Sequence, residues 1–214
     1  SGTLVTQNFT TSTISYNTAV GHGAGALITT GVQNTLVGYA VGDALVDADY
    51  NTALGTNALA GDTYGSKSVA IGREALVTQN FTTATDALNT AVGYAAGQSV
   101  TTGTNNTLIG GLAGDAITTA AGNVSIGKSA LTTETGASGS VAIGKEALRD
   151  NNVGSGNAYN TAVGFESGKL LTTGIRNTLV GALAGDELTI GRYNTVMGNY
   201  ALNSDAVGDD TVAI

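Results

Sequence analysis

The chain has no cysteine, no proline and no tryptophan, and a single histidine. Without cysteine there is neither a disulfide framework nor a thiolate metal site. Glycine is abundant, at 32 residues. The missing proline and the missing Gly-X-Y period nevertheless exclude collagen. Charge is scarce, at 11% of 214 residues, and mostly of one sign: eight Lys and Arg face sixteen Asp and Glu, a net charge of −8. That balance argues against nucleic acid or an anionic membrane as partner. No apolar run approaches the roughly 18 residues of a membrane-spanning helix. Aromatics are only 5%, yet 42% of the residues are hydrophobic, too many for a disordered chain.

What is present is a repeat. Asn17-Thr18-Ala19-Val20-Gly21 recurs along the chain. With that Asn as position 1, the glycines of position 5 are Gly21, Gly38, Gly55, Gly72, Gly93, Gly110, Gly127, Gly144, Gly164, Gly181 and Gly198. Eight of the ten intervals are 17 residues, and the other two are 21 and 20. A longer period lies on top. Position 9 reads Gly, Gly, Leu, Leu and then starts again, and Ser68, Ser140 and Thr211 replace the Asn of position 1 in every fourth unit. Residues 4–21 match 76–93 at 14 of 18 positions. The chain therefore divides into super-repeats of approximately 4–75, 76–147 and 148–214 within one repeat domain, 1–214.

A 17-residue unit is too short for a helical hairpin or a propeller blade. Frequent Gly with many Thr and Val disfavours helix and suits short strands between tight turns. Each unit is then one coil of an all-β solenoid. At about 4.7–4.9 Å per coil, twelve coils span roughly 55 Å.

The predicted strand is positions 2 to 4. Position 4 is Val20, Val37, Leu54, Ile71, Val92, Ile109, Ile126, Ile143, Val163, Val180 and Met197. Alternation sets positions 2 and 4 on one face and position 3 on the other. Position 3 is also apolar in every unit except the one with Ser125. A strand apolar on both faces is covered on both faces. A thin solenoid has only one inside, so symmetric self-association is the simplest cover for the other face.

The rest of the unit shows compensating volumes. Units with Gly at position 9 carry an aliphatic at position 12: Ile28, Leu45, Val100, Ile117, Leu171 and Leu188. Units with Leu at position 9 do not. One large aliphatic per coil thus fills the interior from one of two places. Gly at position 5 serves a turn with positive φ or a close approach between chains. Asn at position 1 forms a stacked amide ladder or closes the preceding turn.

Lys67-Ser68-Val69-Ala70-Ile71-Gly72 and Gly139-Ser140-Val141-Ala142-Ile143-Gly144 resemble the S-V-A-I-G motif of the YadA-like head domain of trimeric autotransporter adhesins. The Asn-Thr-Ala-Val-Gly units resemble the same motif in phage tail-fibre repeats. The resemblance covers residues 14–214. It implies a left-handed parallel β-roll, a β-solenoid with three chains about one axis and the motif strand facing that axis. The unit here is longer than the compact adhesin repeat, and most units carry Asn-Thr where the adhesin has Ser-Val.

Few residues suggest chemistry. His22 has no catalytic companions, and its position accepts almost any residue in other coils, which predicts a solvent-facing side chain. Asp43, Asp115 and Asp186 recur one super-repeat apart, about 19 Å in a stack of this spacing, too far to share an ion; solvated turns are expected. Val20-Gly21-His22-Gly23-Ala24-Gly25 fits one hexapeptide of the acyltransferase β-helix, but only one of the three that each coil of that fold needs. Thr29-Thr30, Thr101-Thr102, Thr118-Thr119 and Thr172-Thr173 suggest an ice-binding array, interrupted at Val46-Asp47 and Thr189-Ile190. Gly-x-Gly pairs follow from composition alone. Asn8-Phe9-Thr10, Asn80-Phe81-Thr82 and Asn123-Val124-Ser125 are glycosylation-type triplets.

The insertions at 77–88 and 149–159 are the least regular stretches, and loops on a rigid scaffold are where binding concentrates. They nominate Asn80, Phe81 (with its counterpart Phe9), Asp86, Asn151, Asn152 and Tyr159 as receptor-facing. The expectation is a non-enzymatic, structural and adhesive segment of a trimeric surface fibre. Its setting would be extracellular, on a bacterial outer membrane or a phage virion, with a host receptor or glycan as partner and no cofactor or metal. Ser1-Gly2 reads as a cloning scar, and the uncapped end at Ile214 reads as a cut through a longer fibre protein. The alternatives are an ice- or glycan-binding solenoid and, more remotely, the hexapeptide acyltransferase.

Overall fold

The computed structural model describes residues 2–5, 7 and 14–214; Phe9 and the triplet around it lie outside the described residues. The chain winds as an all-β parallel solenoid of about twelve turns, with no helix among the described residues. Twelve short strands form one sheet in chain order, from Thr18–Val20 through Thr107–Ile109 to Val212–Ala213. Every pairing is parallel and joins equal positions, such as Thr18 with Thr35 and Ile109 with Ile126. The register survives both longer intervals, where Val69 faces Thr90 and Ile143 faces Val163. The extra residues bulge outward and add two small parallel pairs, Gly65–Ser66 with Thr85–Asp86 and Ala137–Ser138 with Gly156–Asn157.

Position 3 faces the interior. Leu36, Ala53, Ala70, Leu108, Ala142 and Leu179 are all buried. Positions 2 and 4 point outward. The expected exchange of aliphatics holds: Ile28, Leu45, Val100, Ile117, Leu171 and Leu188 are buried from position 12, and Leu59, Leu76, Leu131 and Leu148 from position 9. A third element of the packing is Leu at position 3, in the second coil of each super-repeat. A Cβ on Gly97 would stand 2.6 Å from one δ-methyl of Leu108, and a Cβ on Gly114 would stand 2.7 Å from the other. Leu36 fits between Gly25 and Gly42 in the same way, and Leu179 between Gly168 and Gly185. One branched side chain thus requires two glycines, which is why the position-9 glycines come in consecutive pairs.

Position 1 forms the expected ladder, but the turn it closes is not the preceding one. The amide oxygen of each Asn accepts the backbone N–H of position 1 in the next coil, as from Asn51 to Asn34 at 2.9 Å and from Asn123 to Asn106 at 3.0 Å. Its amide nitrogen donates to the position-15 carbonyl of its own coil, as from Asn106 to Ala120 at 2.9 Å. The turn it closes is therefore the following one. Ser68 is too short for this role, and Gln79 supplies the missing amide. Its nitrogen donates to Asp62 at 2.6 Å and to the Ser68 hydroxyl at 3.2 Å, and its oxygen accepts from Asn89 at 2.9 Å.

In the third coil of the first two super-repeats, where Leu fills the core from position 9, position 12 is a buried carboxylate that holds a turn. Asp62 accepts the backbone N–H groups of Gly65 and Phe81 at 3.0 and 3.1 Å. Glu134 accepts those of Ala137 and Val153 at 2.7 and 3.2 Å. Both carboxylates are fully buried.

The turns rely less on glycine than expected. Positions 7, 9 and 17 adopt left-handed φ, largely on residues with side chains, such as Glu74 (φ 61), Leu76 (φ 50) and Lys67 (φ 62). The conformation is costly for L residues. Here each such N–H is paired with a neighbouring coil: Glu74 to Thr56 O at 3.0 Å, Leu76 to Ala96 O at 3.1 Å and Lys67 to Asp49 O at 2.9 Å. Glycine is required at position 5, where φ is 125–145° and an added Cβ would lie 2.2–2.6 Å from the carbonyl oxygen of the next coil's glycine in ten of the eleven cases. Positive φ and close backbone approach coincide there, the approach being between coils of one chain.

Candidate interaction surface

The outward face of the sheet and the two columns beside it carry most of the exposed large apolar residues. Position 4 forms an aliphatic ridge along the coils. Val20 is 58% exposed, Leu54 47%, Ile109 37% and Met197 49%. Val37, Ile71, Val92, Ile126, Ile143, Val163 and Val180 are partly exposed between them. The ridge contributes nothing to the chain's own core, since alternation sends its side chains to the opposite side from Leu108 and its neighbours.

Two further columns flank the ridge, at positions 17 and 6, and sequence reasoning missed both. Position 17, the residue before each Asn, presents Tyr16, Tyr50, Leu88, Tyr159 and Tyr193, all exposed. Position 6 presents His22, Tyr39, Tyr94 and Phe165. His22 does face solvent, but it stacks on Tyr39 of the next coil with ring centroids 5.5 Å apart. Arg73 lies over Tyr94 at 5.7 Å and Lys145 over Phe165 at 5.2 Å, while Arg176 lies over Tyr193 at 5.5 Å in the other column. The signal was available in the sequence, since every fourth unit repeats a large residue at these two positions. Scatter in the intervening units concealed it.

The nominated loop residues divide. Asn80, Asp86, Asn152 and Tyr159 are exposed, whereas Phe81 and Asn151 are buried and present no side chain to a receptor. Phe81 fits against Gly65, where a Cβ would meet its ring at 2.8 Å. Asn151 donates to Thr172 O at 3.0 Å. Asn80 and Asn152 hold equivalent places four coils apart and accept the hydroxyls of Thr63 and Thr135 at 2.9 and 3.2 Å. Asp86 is paired with Lys67 at 2.5 Å. The two insertions repeat one surface along the rod and do not converge.

Asp43, Asp115 and Asp186 lie in turns, as expected, but are half-buried there. One carboxylate oxygen of Asp115 and one of Asp186 are buried without a partner. Burial raises all three carboxyls above the ordinary aspartate range, against the opposing pull of nearby backbone N–H groups. An acid whose folded pKa exceeds its unfolded value holds its proton more tightly in the folded chain, so stability falls as pH rises through that interval. The triple variant Asp43→Asn, Asp115→Asn, Asp186→Asn is expected to melt above the parent at pH 7, with the gain closing as the pH falls to the ordinary carboxylate range. Thermal melts at the two pH values check this; a gain that does not depend on pH would refute it.

The position-13 hydroxyls are used within the coil stack. Thr101 donates to Thr118 O at 3.1 Å, Thr118 to Thr135 O at 2.9 Å and Thr172 to Thr189 O at 3.0 Å. Asn123, in one of the glycosylation-type triplets, is buried in the amide ladder. Among the described residues there is no cavity, and no group of three His, Asp or Glu side chains is placed to hold a metal ion. No protein-family profile, curated protein or solved structure matches the chain.

Proposed function

We propose that the chain is a non-enzymatic, structural and adhesive segment of an extracellular fibre. In this reading it is a left-handed roll with three copies about one axis, exposed on a bacterial outer membrane or a phage virion. The observation that carries the proposal is the aliphatic ridge of position 4. It runs the length of the sheet, is kept apolar in every coil, and plays no part in the monomer's core. Burying such surface yields about 25 cal/mol per Å², and a contiguous exposed stripe of this kind marks an association surface. Three chains so joined would form a stiff rod. The insertions at Asn80 and Asn152, with Asp86 and Tyr159, would then be displayed three times at each level, and weak contacts to a receptor or glycan would add by avidity.

Sedimentation equilibrium of the 214-residue chain tests the proposal. The expected mass is three chains, and Ile109→Asp with Ile126→Asp is expected to give folded single chains with an unchanged circular dichroism spectrum. The variant should fold because both side chains lie outside its core. A parent that sediments as a well-folded single chain overturns the proposal.

A further inference from the structure

The column at position 6 has an order along the rod that the aliphatic ridge lacks. Numbering coils from Asn17, coil 2 presents Tyr39, coil 5 Tyr94 and coil 9 Phe165, exposed by 57%, 52% and 45%. One face of each ring is covered from the preceding coil, by His22, Arg73 and Lys145 at 5.5, 5.7 and 5.2 Å. On the other side the next place in the column is held by a smaller residue: Thr56, Gly111 and Ala182. A Cβ on Gly111 would meet nothing within 4 Å, so the space beside Tyr94 is open. Two coils beyond each ring stands an exposed hydrogen-bond donor, Arg73, Lys128 and Asn199 in turn.

The column from His22 to Asn199 thus divides into three copies of one arrangement: a backing group, a ring, a gap and a donor. Arg73 serves twice, as donor in the first and as backing group in the second. Position 17 has no such order, since Tyr16, Tyr50, Tyr159 and Tyr193 are followed by Gln33, Lys67, Arg176 and Asp210. Ring and donor lie two coil spacings apart, about 9.5 Å. A pyranose laid flat on the ring uses about 4 Å of that, the contact distance between carbon atoms. The remainder fits one projecting hydroxyl and its hydrogen bond of about 2.8 Å to the donor. A sugar suits both ends of the gap. Its C–H bonds form an apolar, slightly positive face that matches the negative face of an aromatic ring. Its hydroxyl oxygens accept from Arg, Lys or Asn. A polyanion suits it poorly, because Arg73 and Lys145 are already paired with Glu74 and Glu146 at 2.6 and 3.2 Å, and the chain carries a net charge of −8.

We infer that the position-6 column is a binding track for a neutral oligosaccharide, with pyranose rings seated on Tyr39, Tyr94 and Phe165 in the gaps over Thr56, Gly111 and Ala182. The gaps fall at coils 3, 6 and 10, about 14 and 19 Å apart. A glycan chain long enough to reach two of them engages both, and the weak contacts add by avidity. The inference rests on the adhesive part of the reading above, which it supplies with a ligand class, and is independent of the number of chains.

The test is retention of the labelled 214-residue chain on a printed array of cello-, chito-, manno- and galacto-oligosaccharides beside sulfated and sialylated ones. The neutral spots are expected to retain the parent. The triple variant Tyr39→Ala, Tyr94→Ala, Phe165→Ala is expected to lose at least about 100-fold in retention, the low end of what linked sites gain by avidity. Gly111→Leu leaves every ring in place and fills the middle gap, and its retention is expected to fall about tenfold. Tyr50→Ala removes a ring of similar exposure, 51%, from the other column and is expected to bind as the parent does. None of these positions belongs to the core, so every variant is expected to keep the parent's circular dichroism melt. Four results would each overturn the inference: no retention on any neutral spot, retention confined to acidic spots, a triple variant that binds like the parent, or a Tyr50→Ala loss as large as the triple variant's. Sedimentation of the same samples keeps this apart from the three-chain reading. A three-chain rod that retains no sugar removes the oligosaccharide track alone. A single folded chain that retains neutral sugars removes the three-chain reading alone. A triple variant that separates into single chains assigns the column to the contact between copies and overturns the inference.

Discussion

Gly110→Ala is expected to cost on the order of 3–5 kcal/mol, while Gly111→Ala, one residue further on, leaves stability unchanged or slightly raised. Gly110 has φ +134, a region that L side chains rarely enter, and a Cβ there would lie 2.6 Å from the carbonyl oxygen of Gly127 and 2.7 Å from its carbon. Neither atom belongs to a flexible side chain, so relief requires two coils to separate. The N–H of Gly127 is bonded to Ile109 at 2.7 Å, which resists such movement. Gly111 has no positive φ and no neighbour within 4 Å of a Cβ. Alanine there narrows the unfolded ensemble and clashes with nothing. Whole domains are stable by only about 5–15 kcal/mol, so the first variant removes a large fraction of the total. In a stack of coils the damage divides the rod at one interface. Denaturant unfolding of the two variants side by side checks the prediction, and equal effects would show that contact with the next coil does not dictate position 5.

Asn106 is the second sensitive point. Its amide oxygen accepts the N–H of Asn123 at 3.0 Å, and its nitrogen donates to Ala120 O at 2.9 Å and to the Asn89 side chain at 3.2 Å. The residue is buried. Asn106→Ala leaves a buried N–H and a buried carbonyl unpaired, at about 1–3 kcal/mol each. Asn106→Asp has nearly the same shape and is expected to cost at least as much at pH 7. It keeps the acceptor for Asn123, but sets an oxygen against the two acceptors that the amide had served. A carboxyl so placed favours its proton in the folded state, so its penalty falls on acidification. Unfolding of both variants at pH 7 and pH 4 checks this: the aspartate variant should recover on acidification and the alanine variant should not. An aspartate variant as stable as the parent at neutral pH would refute the amide-ladder account.

Much of this architecture was legible because a stack repeats its environment. A residue that recurs every 17 positions meets the same neighbours each time, so the Gly of position 5, the Asn of position 1 and the exchange between positions 9 and 12 all announced their roles. Other features escaped. The fit of Leu108 between Gly97 and Gly114 joins residues of adjacent coils whose positions differ, which a column-by-column reading does not compare. Phe81 and Asn151 sit in insertions that look loop-like, yet fold back because Gly65 leaves room for one and Thr172 offers a carbonyl to the other. Asp62 and Glu134 are charged, a property that suggests surface; the backbone N–H groups of two turns hold them inside.

The amino-acid sequence by itself determined the length of the coil, the parallel register and the twelvefold stack, since only equal positions one period apart bring apolar, amide and glycine columns together without conflict. It also determined that both faces of the strand are apolar. Which of those faces is the inside was decided by the tertiary structure alone. Alternation separates two faces without saying which way the chain curls. The left-handed residues of positions 7, 9 and 17, held by hydrogen bonds between coils, close each turn around position 3 and leave position 4 on the outer face.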